Sequence, residues 1–152
     1  MNKKLILLLL PLLMLASSAW AQSTGKVYRI KNLKHGKYIT ENWTAEAGGK
    51  LTCNSLDEKD YSQLWYLNIA RQLQNVYTQR FIQPQDKGSN PFYTGDAKTS
   101  PKFNKIATDT YTISVDGNFL HCDGSSVVVK WQDTGNEGNH WILEQVDMTK
   151  AD

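Results

Sequence analysis

Two short stretches decide the fold: Gln63-Leu64-Trp65-Tyr66-Leu67 near the middle of the chain and Asn139-His140-Trp141-Ile142-Leu143 near its end. Each sets an amide side chain two residues before a tryptophan and then alternates. Residues two apart on a strand share a face, so Trp65 with Leu67, and Trp141 with Leu143, point the same way. Each pair offers a large apolar surface to a common centre. What precedes each stretch also matches. Before the first come Tyr28-x-Ile30, a His35-Gly36 turn, Tyr38-Ile39, a Gly48-Gly49 turn and a strand at 50–53. Before the second come Tyr111-x-Ile113, Asp116-Gly117, Phe119-Leu120, Asp123-Gly124 and a strand at 127–131. Asp116-Gly117 is a hairpin signal because both residues tolerate positive φ. Short alternating runs separated by Gly, Asp and Asn read as all-β. Two four-strand units, each opening its last strand with Trp, are a repeat.

Residues 72–106 are expected to hold a middle copy, with 77–83 as its first strand and 91–94 as its second. It lacks a Gln-x-Trp ending and is interrupted by Pro84, Pro91 and Pro101. The only helix candidate, 68–76, has weak periodicity and no cap, and reads as a strand end plus loop. The repeats are then about 26–71, 72–106 and 107–147.

This arrangement resembles the ricin B-chain-like lectins. The resemblance implies a β-trefoil, in which three four-stranded repeats form a six-stranded barrel capped by three hairpins and each repeat ends in Gln-x-Trp. Gln63-Leu64-Trp65 matches in full, and Asn139-His140-Trp141 matches with Asn for Gln. The resemblance also implies carbohydrate binding without catalysis. An active repeat of the family uses an Asp after its second strand, an aromatic at the end of its third, and an Asn or Gln near Gln-x-Trp. In the third repeat these are Asp123, Trp131 and Asn139, with Asn136 or Gln132 assisting from the loop. Asp123 would accept from sugar hydroxyls, Trp131 would stack on the sugar's C–H face, and Asn139 would serve a further hydroxyl. The alternative is that Asp123 is only a turn residue and Trp131 only a half-covered strand aromatic. The first repeat implies a secondary site. There Glu41 stands where an Asp is expected, Trp43 replaces the ring missing near Cys53, and Gln63 holds the amide position.

The chain has 152 residues, and residues 1–21 read as an export signal: Lys3 and Lys4, an apolar run over 5–15, and Ala19-Trp20-Ala21 as cleavage site. At about 11 residues the run is too short to span a bilayer. With no cysteine at the cleavage site, the expectation is a secreted or periplasmic protein that is not a lipoprotein. Residues 22–152 then form one domain. Loss of Lys3 and Lys4 leaves Lys plus Arg equal to Asp plus Glu. A neutral surface lacks the basic surplus that nucleic acids or anionic membranes require, so neither partner is expected, nor membrane insertion. A glycan or polysaccharide is the expected partner. The rival is a protein-binding or inhibitor-type trefoil with degenerate sugar sites.

No Gly-x-Ser-x-Gly, His-Glu-x-x-His or phosphate loop occurs, and the reading is not an enzyme. His121 and Asp123 share a strand face, but two ligands without a third make a poor metal site, so no metal or cofactor is expected. Cys53 and Cys122 are free to pair in an oxidising compartment. Two separate buried thiols fit equally, since pairing depends on a distance that sequence does not give.

Overall fold

The computed structural model describes residues 25–46, 48–84, 91–132 and 135–148. The expected export signal, 1–21, lies outside these residues. No helix among the described residues is long and apolar enough to cross a membrane.

Twelve strands follow one another with no α-helix among the described residues. The first four are β1 (Lys26–Asn32), β2 (Tyr38–Thr44), β3 (Gly48–Asn54) and β4 (Trp65–Leu67). The next four are β5 (Leu73–Asn75), β6 (Phe81–Pro84), β7 (Phe92–Gly95) and β8 (Lys102–Ala107). The last four are β9 (Thr110–Val115), β10 (Asn118–Cys122), β11 (Val128–Trp131) and β12 (His140–Val146). A single 3-10 turn, Tyr61–Gln63 or Glu137–Asn139, leads into β4 and β12 respectively.

The first and fourth strands of each set build a barrel wall through antiparallel ladders that link β4 to β5, β4 to β1, β1 to β12, β12 to β9 and β9 to β8. The second and third strands form three hairpins, β2–β3, β6–β7 and β10–β11. The hairpins close on each other: Lys50 pairs with Tyr93, Thr52 bridges Val127, and Pro91 bridges Val129. Between wall and cap lies one core holding Ile30, Ile39, Leu51, Leu67, Ile82, Phe92, Ile113, Leu120 and both closing tryptophans. Apolar burial on this scale is what drives the strands together.

The two tryptophans do the same job. Trp65 is fully buried and its Nε1–H donates to the Ile39 carbonyl at 3.0 Å. Trp141 is fully buried and its Nε1–H donates to the Leu120 carbonyl at 2.9 Å. Ile39 and Leu120 occupy corresponding places in β2 and β10. Each indole thus ties its closing strand to its own repeat's hairpin while its polar atom is satisfied.

The middle copy begins at β5, in the stretch expected to be strand end plus loop. The stretch expected as a first strand, 77–83, instead leaves a turn at 77–79 and runs into β6, the second strand of the set. Gln79 there has φ 63°, the left-handed conformation that Gly36 supplies at φ 67° in the first repeat. The match is exact in hydrogen bonding. Asn32 Oδ1 accepts from Lys34 and His35 N–H groups, and Asn75 Oδ1 accepts from Tyr77 and Thr78. Asn32 Nδ2 then donates to Gly138 O, and Asn75 Nδ2 to Ser62 O, each at 2.9 Å. Each asparagine fixes its own turn and clamps it to the 3-10 turn of the preceding repeat. Of the stretch expected as a second strand, 91–94, residues 92–94 lie in the third strand of the set, β7.

Candidate functional site

The residues expected to bind in the third repeat separate into three environments. Asp123 lies in the exposed turn after β10, where its Oδ1 accepts from the Ser125 N–H at 2.8 Å and from the Ser125 hydroxyl. These bonds hold its carboxyl below the ordinary aspartate value. Trp131 ends β11 opposite Phe119 and is 36% exposed. One face of its indole is covered by the buried His121 ring, with centroids 4.1 Å apart and planes 14° from parallel. The other residues lie behind this stack. Asn139 is 0% exposed, and its Oδ1 meets His121 Nδ1 at 2.7 Å. Because an amide oxygen only accepts, Nδ1 carries the proton.

Asn139 therefore does not reach a ligand. It orients the imidazole that backs Trp131. Asn136 is also engaged, its Oδ1 accepting the Gly138 N–H at 2.8 Å as the cap of the 3-10 turn. A Cβ on Gly138 would stand 2.6 Å from His121 Cε1, so the bare glycine backbone packs directly against that ring. Gln132 donates to Asn118 Oδ1 at 2.8 Å. What the third repeat offers to solvent is a one-faced aromatic platform, Trp131, with the carboxylate of Asp123 beyond the end of β10. Among the described residues no three His, Cys, Asp or Glu side chains are grouped to hold a metal.

The first repeat contains a cleft. A cavity of about 400 Å³ is lined by Glu41, Asn42 and Trp43 of β2, by Lys59, Asp60, Tyr61 and Ser62 before β4, and by Tyr77 of the second repeat's turn. Three rings line it with substantial exposure: Trp43 at 44%, Tyr61 at 42% and Tyr77 at 70%. Glu41 and Trp43 share a strand face. Glu41 is buried, accepts from the Thr94 hydroxyl through Oε2, and has no partner at Oε1. Close by, Gly49 is essential, because a Cβ there would strike the Thr94 hydroxyl and lie 2.9 Å from Glu41 Oε2. Arg80 covers one face of Trp43, its guanidinium carbon 4.4 Å from the ring centroid, an attraction that fixes the ring. Arg80 is itself held by a 3.0 Å bond to the Thr94 carbonyl.

Gln63 plays no part in the cleft lining. Its Nε2 donates to Ser55 O at 2.8 Å and its Oε1 accepts the Asp57 N–H at 3.0 Å, which ties the loop to the backbone. Sequence reasoning reached Glu41 and Trp43 but missed Tyr61, Tyr77 and Arg80. One signal for Tyr61 was present: Asp60, like Asn136, precedes the amide of the closing motif by three residues, and its Oδ1 accepts the Ser62 N–H at 2.9 Å as the same cap.

A ricin B-like lectin of Macrolepiota procera, in complex with lactose, superposes with a TM-score of 0.69 over 82% of this chain and 98% of that one. The fold is that of the ricin B-like lectins. Sequence identity to that lectin is only 14%. The C-half of an earthworm R-type lectin in complex with GalNAc gives a TM-score of 0.59 at 17% identity, covering 80% of this chain and 99% of that one. The designed three-fold symmetric protein ThreeFoil gives 0.64 at 13% identity, covering 79% and 99%. No protein-family model matches the chain, and no curated protein matches it in sequence.

Proposed function

We propose that this protein binds carbohydrate without catalysis, and that the first-repeat cleft is its principal site. The observation that carries the reading is the joining of three part-exposed rings, Trp43, Tyr61 and Tyr77, with the Glu41 carboxylate in one cavity. A pyranose presents an apolar C–H face and a rim of hydroxyls. The uncovered face of Trp43 takes the first, while Asn42, Asp60 and Ser62 serve the second and the buried Glu41 carboxylate stands behind them. The trefoil lectins in complex with lactose and GalNAc support this reading.

Trp131 with Asp123 is a second, shallower site. Backed by His121, its ring accepts a ligand on one face only. Two weak sites on one body would raise the affinity for a repeating polysaccharide without any new contact. The reading includes export, with residues 1–21 removed and the protein secreted or periplasmic.

Calorimetric titration with lactose and with N-acetylgalactosamine, following a glycan array, tests the proposal. Trp43→Ala is expected to weaken binding about tenfold, the loss of a ring stack worth about 1 kcal/mol or more. Unchanged binding in that variant would move the ligand out of the cleft. Failure of the wild type to bind any glycan would remove the function and leave a protein-binding trefoil in its place.

A further inference from the structure

Cys53 and Cys122 take no part in either site, yet the fold brings them together from different repeats. Cys53 lies on β3 and Cys122 ends β10; both are fully buried in the shared core. The segment leading into β11 joins them. Cys122 pairs with Val128 across its hairpin, Thr52 bridges Val127, and the Cys53 N–H donates to the Ser126 carbonyl at 2.8 Å. The strands that carry the two cysteines therefore flank the same three residues, and the two side chains, free thiols in this structure, lie near enough in the core for each to shift the other's acidity. The contact is not symmetric. The hydrogen bond from Cys53, helped by the Gly124 N–H, makes Cys122 the more acidic thiol, while the same bond and burial push Cys53 up.

We propose that Cys53 and Cys122 form a disulfide that fastens the first-repeat hairpin to the third-repeat hairpin, made by exchange with an external disulfide before the core closes. The thiolate of either cysteine attacks one sulfur of a small-molecule or protein disulfide, and the first external thiolate leaves. The thiolate of the other cysteine then attacks the protein sulfur of the mixed disulfide and expels the second. Two protons leave the protein, and its two electrons reduce the external disulfide to two thiols. Because neither sulfur is exposed in the folded chain, exchange precedes burial, and the finished bond is sealed from reductant. The link closes a loop spanning the whole middle repeat, the kind of long loop whose closure restricts the unfolded chain most.

The test is refolding of the denatured wild-type chain in a reduced and oxidised glutathione buffer, followed by intact mass and maleimide labelling under denaturing conditions. The expected product lacks both thiols, is lighter by two hydrogens than the reduced chain, and yields a Cys53–Cys122 linked peptide on non-reducing digestion. Dithiothreitol is expected to open the bond quickly in denaturant and slowly in buffer, with Tm falling on the order of 10 °C after reduction. A monomer that refolds with both thiols labelled and its mass unchanged overturns the proposal, and so does a disulfide-linked dimer.

Discussion

Replacing the closing indoles one at a time, as Trp65→Phe and Trp141→Phe, tests whether the repeats are physically equivalent. In each case phenyl keeps most of the apolar surface and removes the ring N–H. The Ile39 carbonyl then loses a 3.0 Å donor and the Leu120 carbonyl a 2.9 Å donor, in surroundings where both tryptophans are 0% exposed. An unsatisfied buried acceptor costs about 1–3 kcal/mol. The smaller ring leaves a void that adds about 1 kcal/mol. Each variant is therefore expected to lose about 2–4 kcal/mol, and the two losses are expected to agree within about 1 kcal/mol, since the geometry is the same in both repeats. Urea unfolding followed by far-UV circular dichroism measures this without using the fluorophores being changed. A loss below about 0.5 kcal/mol in either variant, or a full loss in one and none in the other, would refute the claim that the indoles hold corresponding repeats.

Three further outcomes follow from the structure. Asn139→Ala removes the buried partner of His121 Nδ1 and is expected to cost about 1–3 kcal/mol of stability; equal stability would mean that the amide faces solvent. Gly138→Ala, which sets a Cβ 2.6 Å from His121 Cε1 and 2.8 Å from the Cys122 carbonyl, is expected to destabilise by about 1–3 kcal/mol and to shift the Trp131 indole signal in NMR spectra; an unmoved signal would contradict the packing chain from Gly138 through His121 to Trp131. Burial, then the 2.7 Å hydrogen bond to Glu144, raises Tyr38 to about 12. The stability this gives is complete below pH of about 10 and is lost as pH rises through about 12. Tyr38→Phe is expected to flatten stability against pH across that window, and an unchanged alkaline slope would contradict the assignment.

The closing strands were legible in the sequence because Trp65 and Trp141 are large, recur in matched surroundings and are followed by aliphatic residues two places on. Burial alone explains them. The middle repeat was not legible from that signal, because its closing strand β8 is largely exposed and carries no tryptophan. Its register lay in Asn75, which repeats the work of Asn32, and a single amide does not reveal its partners in sequence. Tyr77 and Thr78 favour strands by propensity, yet the left-handed Gln79 turns the chain there. At the proposed binding sites, local spacing found Glu41 with Trp43, which share a strand face. Tyr77 approaches from the next repeat and Arg80, also of that repeat, stacks on Trp43, long-range placements that only the closed barrel produces. Asn139 misled for the converse reason. An amide beside the closing motif serves a ligand or the scaffold equally well, and here it is turned inward to His121.

The most direct test of the account is a titration of the ¹⁵N-labelled protein with lactose and N-acetylgalactosamine, following the indole N–H signals. Trp43 is expected to shift most and Trp131 at higher concentration, while Trp65 and Trp141, buried and bonded to backbone carbonyls, stay in place. A spectrum in which neither exposed indole moves at saturating sugar, or in which only the two buried ones do, would contradict it.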